Sequence, residues 1–375
     1  MNDIMHETYN VFKQGKASVL IDGQFGSTGK GLAAAFQWQQ ADQHGAVDWR
    51  KFISVTNAAP NAGHTTVLPN GRKFVTYHMP TVGVLAKEST IYLDAGAIID
   101  PDLLEREMKD LGVNPDRVVI HPHAGVITES DRIHERSRTS GATAIASTQK
   151  GVGAALARKI MREPPVAKNV AGRLQSMGVA IADMDLESHL SGGHTILIEV
   201  PQGMSLSLNH GFYPHCTSRE VSVSQALSDA GLHPRWLGRT LMTLRTFPIR
   251  VGHIYDGEGN VIGHSGGVFD DQRELSWNLD LPHIEPERTT VTKRVRRIFT
   301  FSCEQYELAL RRLRPDIVHL GFCDYLKDRA AFTEFVVNMK DVSIDAGIDP
   351  AVSYAFGPST ADIELFYGDA VRRFK

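Results

Sequence analysis

Ala17-Ser18-Val19-Leu20-Ile21-Asp22-Gly23-Gln24-Phe25-Gly26-Ser27-Thr28-Gly29-Lys30-Gly31-Leu32-Ala33-Ala34-Ala35-Phe36 decides how the rest of the chain is read. The apolar run Ala17 to Ile21 suits a buried strand. It stops at Asp22-Gly23, and four glycines follow within nine residues. From Lys30 to Gln40 the chain is good helix-forming material. Strand, glycine loop and helix form one unit. Glycines let the backbone turn tightly and aim N–H groups at an anion, and the helix start adds its positive end. Lys30 is placed to neutralise phosphate oxygens. The loop departs from a Walker loop, because five residues rather than four separate Gly23 from Gly29, and Gly31 stands where Ser or Thr would hold magnesium. A plain glycine-rich turn is the bland alternative.

Working outward, Phe52–Val55, Ile91–Leu93, Val118–Ile120, Thr195–Val200, Ile317–Phe322 and Val352–Phe356 read as further short strands, and Lys73–His78 as another. Asp100-Pro101 predicts a helix start and Gly112 its end. Short branched strands alternating with helical stretches imply an α/β fold, a mostly parallel sheet covered by helices. The segments 56–66 and 238–286 read as loops, the latter with a hairpin around Asp256–Gly259. No linker or repeat interrupts 1–375, so a single domain with an irregular excursion at about 238–286 is expected.

The 375 residues are 42 % hydrophobic and 22 % charged, with 40 basic against 43 acidic side chains and a net charge of -3. Nothing there calls for nucleic acid or an acidic membrane. Three scattered cysteines exclude a disulfide scaffold. The start of the chain lacks a signal-peptide pattern, and no stretch approaches a membrane span. A cytoplasmic enzyme with no membrane and no direct nucleic-acid partner is expected.

Other segments carry chemistry. Asn61-Ala62-Gly63-His64-Thr65 offers a histidine for proton donation, although a lone loop histidine is more often structural. Ser147-Thr148-Gln149-Lys150-Gly151 places hydroxyls and glycine before a helix expected over Ala154–Arg162. The run Lys293, Arg294, Arg296, Arg297 is as compatible with solvation as with anion binding, and Arg311, Arg312 and Arg314 fit the polar face and end of a helix. The setting of His121, His123 and His134 is weakly zinc-like but holds no cysteine or acidic partner at a recognised spacing, so structural or surface roles are expected for them.

In this order, these segments resemble the adenylosuccinate synthetase family. Its glycine loop is matched by Asp22 to Gly31, its Asn-Ala-Gly-His-Thr by Asn61 to Thr65, its glutamine-glycine by Gln202-Gly203, and its Tyr-Pro-Tyr-Val-Thr-Ser by Tyr213 to Ser218. The resemblance implies a P-loop-NTPase-like adenylosuccinate synthetase fold, a large mixed, mainly parallel sheet, and a homodimer. It implies transfer of a γ-phosphoryl group to O6 of a purine monophosphate, after which the amine of L-aspartate displaces phosphate at C6. Lys30 and His64 would act at the phosphoryl group. Gly26, Gly29, Lys30, Gly31, Phe322, Asp324, Gly357 and Pro358 would hold the triphosphate. Asn61, Ser147, Thr148, Gln202, Thr217, Thr292, Arg294 and Arg296 would hold the other substrates, with Arg162 reaching the partner subunit's nucleotide. Mg2+ would sit near Ser27 and the Gly63 carbonyl.

Two departures shape the expectation. The family's catalytic aspartate is Ser27 here, and the lysine of its guanine-recognition motif is Phe322. Serine is smaller than aspartate and leaves room for a 2-amino group, which is similar to the viral branch acting on dGMP with ATP, or with dATP. The resemblance then implies N6-succino-2-amino-2'-deoxyadenylate as product, with ordinary synthesis from inosine monophosphate and GTP as the alternative. Asp22, the nearest carboxylate in sequence, becomes the expected acceptor of the N1 proton.

Overall fold

The structure, a computed structural model, describes residues 7–137, 141–289 and 293–365. Its centre is a ten-stranded sheet. In chain order the strands are β1 (Ala17–Asp22), β2 (Phe52–Thr56), β3 (Thr90–Leu93), β4 (Val118–Ile120), β5 (Ala180–Ile181), β6 (Thr195–Glu199), β7 (Leu237–Arg245), β8 (Ile317–Gly321), β9 (Ala351–Ala355) and β10 (Ile363–Leu365). They lie in the order β10-β9-β8-β7-β1-β6-β2-β3-β4-β5. Every neighbouring pair is parallel except β9 with β10. Parallel pairing puts the carboxyl ends of nine strands on one edge, and chain direction out of β1 meets both halves of the sheet there, the usual place for a ligand in an open α/β sheet.

β1 is buried along its whole length, and alternate side chains feed opposite cores. Ala17, Val19 and Ile21 pack with Leu310, Phe332 and Val336. Leu20 faces the other way, toward Ala33 and Ala34. The helices include α1 (Lys30–Gln43), α2 (Pro101–Leu111), α3 (Glu129–Arg136), α4 (Val152–Ile160), α5 (Cys303–Leu313) and α6 (Arg329–Asp345), of which α1, α5 and α6 supply these contacts. α2 starts and stops where its sequence says. Asp100 accepts from the Leu103 N–H at 3.3 Å, Pro101 takes the first position, and Gly112 ends it at φ 66°.

Three sequence expectations need correction. The stretch 238–286 is not all loop, because Gly238 to Arg245 belongs to β7, the longest strand, between β1 and β8. Gly238 and Arg239 break the apolar pattern, and the strand ends on a buried arginine, so it carries no ordinary strand signature. The segment 56–66 is not all loop either. His64–Val67 pairs antiparallel with Lys73–Thr76, a hairpin outside the main sheet. The helix expected over Ala154–Arg162 spans Val152–Ile160.

The remainder of the excursion folds back on the body. Ile249–Arg250, Glu274–Leu275 and Arg297–Phe299 form a small antiparallel sheet over its own cluster of Ile249, Trp277, Leu281 and Ile298. The expected hairpin is present, Ile254–Tyr255 with Val261–Gly263.

Candidate functional site

Asp22 organises the glycine loop. Its Oδ1 accepts from the N–H of Gln24 at 2.7 Å and of Gly26 at 3.3 Å. Its Oδ2 accepts from the Thr28 hydroxyl at 2.5 Å and from Lys30 Nζ at 3.2 Å. Gly26, Ser27 and Gly29 take φ of 88°, 57° and 87°, the left-handed region where a side chain costs energy. The loop therefore curls around one carboxylate. Lys30 Nζ also donates to the Gln202 carbonyl at 2.9 Å, tying the loop to the chain leaving β6. Gly203 has no room for more than hydrogen, since a Cβ there would stand 2.7 Å from Asp22 Oδ1 and closer still to Gln24 O and Gly26 N.

Gly31 also has a packing role. A Cβ there would lie 2.8 Å from Thr65 O and from Thr66 Oγ1, so the missing side chain lets the His64 hairpin sit against the start of α1. His64 is pushed down to about 3 by burial and by the Lys30 ammonium. Its imidazole is neutral at neutral pH, with one N–H to donate and one lone pair.

The loop from Gly26 to Gly31, His64 and Gln202 line a cavity of about 1330 Å³ at the carboxyl edge of the sheet. Of the residues expected from sequence, Gly26, Ser27, Gly29, Lys30, Gly31, Asn61, Gly63, His64, Ser147, Thr148, Gln202, Thr217, Arg296, Phe322, Asp324, Gly357 and Pro358 all line it. Four do not. Asp22 is fully buried beneath the loop, which corrects its expected place at the purine: its oxygens are occupied by the loop's own donors. Arg294 supports the wall from behind, donating to Gly252 O at 3.1 Å and Ala146 O at 3.0 Å. Arg162 is exposed past the end of α4, outside this protomer's cavity. Thr292 lies outside the described residues.

A buried arginine was not anticipated. Arg245 ends β7 with no exposed surface. Its guanidinium lies 3.7 Å from the centre of the Phe322 ring, a cation–π contact, and it pairs with Glu287. The Tyr325 hydroxyl donates to the same carboxylate at 3.0 Å. Burial alone would raise Glu287, but the Arg245 guanidinium and the Tyr325 hydroxyl beside it hold the carboxyl below its usual range. One face of Phe322 is thus covered by a cation. Of the three histidines, His121 pairs with Asp183 at 3.4 Å, its Nδ1 accepts from the His123 N–H at 2.9 Å, and His134 lines the cavity. No group of three or more His, Cys, Asp or Glu side chains fit to hold a metal occurs among the described residues, and none of their helices is long and apolar enough to cross a membrane.

The cavity, its glycine loop and the sheet order match a known family. The adenylosuccinate synthetase model matches residues 19–171 and 166–329. The chain belongs to the adenylosuccinate synthetase family. Within it, the chain is similar to N6-succino-2-amino-2'-deoxyadenylate synthases of phages. It is 35 % identical over 369 residues to that of Salmonella phage PMBT28, covering 93 % of this chain and 97 % of the relative. It is 37 % identical over 359 residues to that of Vibrio phage phiVC8, covering 92 % and 97 %. The solved structure of cyanophage S-2L succinoaminodeoxyadenylate synthetase, bound to dGMP and to dATP as energy donor, superposes with a TM-score of 0.80 at 31 % identity, over 96 % of this chain and 97 % of that one. Adenylosuccinate synthetase from Plasmodium falciparum, at 16 % identity and a TM-score of 0.76 over 94 % and 100 %, shares the fold.

Proposed function

We propose that this synthetase joins L-aspartate to C6 of dGMP through a 6-phosphoryl intermediate, with ATP as donor, giving N6-succino-2-amino-2'-deoxyadenylate, ADP and phosphate. The observation that carries it is Ser27, which is exposed at the cavity wall beside Lys30. No carboxylate of the loop faces the cavity, because the one it has, Asp22, is turned inward. A small neutral hydroxyl at that point leaves space for a 2-amino group, and the likeness to phage synthases of the succino-2-amino product agrees.

In this mechanism Lys30 and the loop amides hold the γ-phosphoryl group, and neutral His64 donates to it as charge builds on the oxygens in transfer. Aspartate's amine then attacks C6, the C6–O bond to the phosphoryl oxygen breaks, and phosphate leaves. Ser27 accepts a hydrogen bond from N1–H, and the N1 proton passes through it to water as O6 takes the phosphoryl group. Magnesium would be held by the Ser27 hydroxyl and the Gly63 carbonyl together with the substrate phosphates, since no carboxylate of the loop faces the cavity. There it neutralises phosphate charge.

Arg162 supports a homodimer. It follows Ile160 and Met161, which are 72 % and 70 % exposed, an apolar pair next to a guanidinium that matches phosphate in two-point geometry. A second copy would bury the pair and receive Arg162 at its monophosphate. The likeness to phage synthases supports the host cytoplasm as the place where it meets its nucleotide substrates.

The test is a matrix of dGMP, inosine monophosphate and guanosine monophosphate against ATP, GTP and dATP, with aspartate and magnesium, reading phosphate release and the succino product. Product from dGMP and ATP supports the proposal. Product from inosine monophosphate and GTP alone overturns it in favour of ordinary adenylosuccinate synthesis. Mixing Arg162→Leu with His64→Asn chains should restore part of the activity, because one site of a hybrid dimer keeps both residues.

A further inference from the structure

A row of polar side chains crosses the sheet just below the cavity. Register aligns Asp22 with Thr243, Thr243 with His319, and His319 with Ser353 on four adjacent strands. All four are at most 2 % exposed. Polar groups this deep need partners, and nearly all have them. Asp22 holds Lys30 and Thr28, the Thr28 and Thr243 hydroxyls meet at 2.6 Å, and His319 Nδ1 lies 3.0 Å from Ser353 Oγ. His319 Nε2 has no partner, and its ring lines the cavity. Nε2 is buried, and Gly321 adds no side chain over it: a Cβ there would stand 4.0 Å from the nitrogen, in ordinary contact.

The sense of the missing bond follows from the neighbours. The Ser353 hydroxyl donates to the Val318 carbonyl at 3.5 Å. Its oxygen then accepts from His319 Nδ1–H, which leaves a lone pair on Nε2. Burial pushes His319 down to about 4, so the ring is neutral at neutral pH and keeps that lone pair. The position is equally informative. His319 belongs to that row on β8, three residues before Phe322, and lines the cavity with Phe322 and Gly357, which the family resemblance assigns to the triphosphate.

We propose that His319 Nε2 is a specificity-determining acceptor for an N–H or O–H donor of the bound nucleoside triphosphate, the adenine 6-amino group or a ribose hydroxyl. The inference rests on the proposed use of ATP at that end of the cavity. An acceptor there welcomes an amino group at purine C6 and opposes the carbonyl of guanine, so at the base it would favour ATP over GTP.

The test measures binding, which makes it independent of turnover. A non-hydrolysable ATP analogue is titrated calorimetrically into wild type, His319→Leu and His319→Gln, alongside matched analogues lacking the 6-amino group or the ribose 3'-hydroxyl. His319→Leu should weaken the full analogue by about ten-fold, the scale of one buried hydrogen bond. His319→Gln, which can present an acceptor near the same point, should recover part of it. The analogue whose affinity is insensitive to the substitution identifies the donor, base or sugar. Unchanged dGMP affinity and an unchanged unfolding temperature show that the loss is local. Equal weakening of all three analogues, or no weakening of any, overturns the proposal. Absence of succino product from dGMP in wild type would instead sink the functional reading while leaving this binding comparison intact.

Discussion

The two walls of the cavity are built differently. On one side, Asp22, Thr28, Lys30 and Gln202 form a closed set of bonds on strand ends, and Gly203 is pressed against them with no space for a methyl group. On the other, the excursion hangs on short two- and three-residue strands over the cluster of Ile249, Trp277, Leu281 and Ile298, and in its hairpin, away from the cavity lining, a Cβ at Gly257 would meet nothing within 4 Å. The first wall must hold phosphate oxygens in one geometry while charge moves, and pre-organisation there lowers the barrier. The second contributes Ile249, Arg250, Ser265, Ile284 and Glu287 to the lining from short strands and loops.

Breaking the first wall should have the largest effect. Lys30→Ala removes the cation at the phosphoryl group and leaves Asp22 unpaired, and kcat/KM should fall by about 10²–10³ or more. Steady-state rates with saturating aspartate check this, and a loss under ten-fold would mean that Lys30 is only a brace for the loop.

Ser27 sharpens the comparison, since it is the exposed residue of an otherwise satisfied loop. Ser27→Asp should lower the ratio of kcat/KM for dGMP over inosine monophosphate by roughly five- to a hundred-fold, from crowding and one misplaced buried hydrogen bond. Ser27→Ala, which keeps the space, is the control. Equal losses on both substrates would remove Ser27 as the specificity switch.

Glycines compare the walls directly. Gly203→Ala should destabilise by about 1–3 kcal/mol through overpacking, seen in urea unfolding. Gly257→Ala should stay within about 0.5 kcal/mol. Similar values at the two sites would contradict the contrast between a tight and an open wall.

The smallest effect is a slope. His64 is held down at about 3 against an ordinary value of 6.5. Between those pH values the unfolded chain takes up a proton that the folded chain refuses, so His64 makes stability fall as pH drops from 6.5 toward 3. Unfolding free energies of wild type and His64→Asn, measured at pH 7.5 and pH 5, should converge or cross in favour of the variant at the lower pH. Parallel pH curves would show that His64 titrates normally.

Much of the site was legible locally. The glycine loop, Asn61 to His64, Gln202, and Asp100 with Pro101 and Gly112 each declare themselves within a few residues, because turn conformation, helix capping and a buried strand are set by neighbours in the chain. Most residues singled out there do line one cavity. Asp22 was misread for a physical reason: sequence shows that a carboxylate ends β1, but not that four donors of the following loop would close over it. β7 was missed because its pattern is broken by Gly238 and Arg239, and its place between β1 and β8 comes from pairing over long separations.

What the sequence alone determined is therefore the class of fold, the anion loop and the family, all carried by short-range conformational preference and by apolar runs that must be buried. Tertiary structure decided which side chains meet. Arg245 is inert in the sequence and becomes a buried cation under Phe322 only because β7 and β8 lie side by side and Glu287 returns to pair with it. His319 is one of sixteen histidines in the sequence until register sets it between Thr243 and Ser353. Burial, charge pairing and unmet hydrogen bonds are properties of neighbours in space, and residues tens to hundreds of positions apart become neighbours only once the sheet has formed.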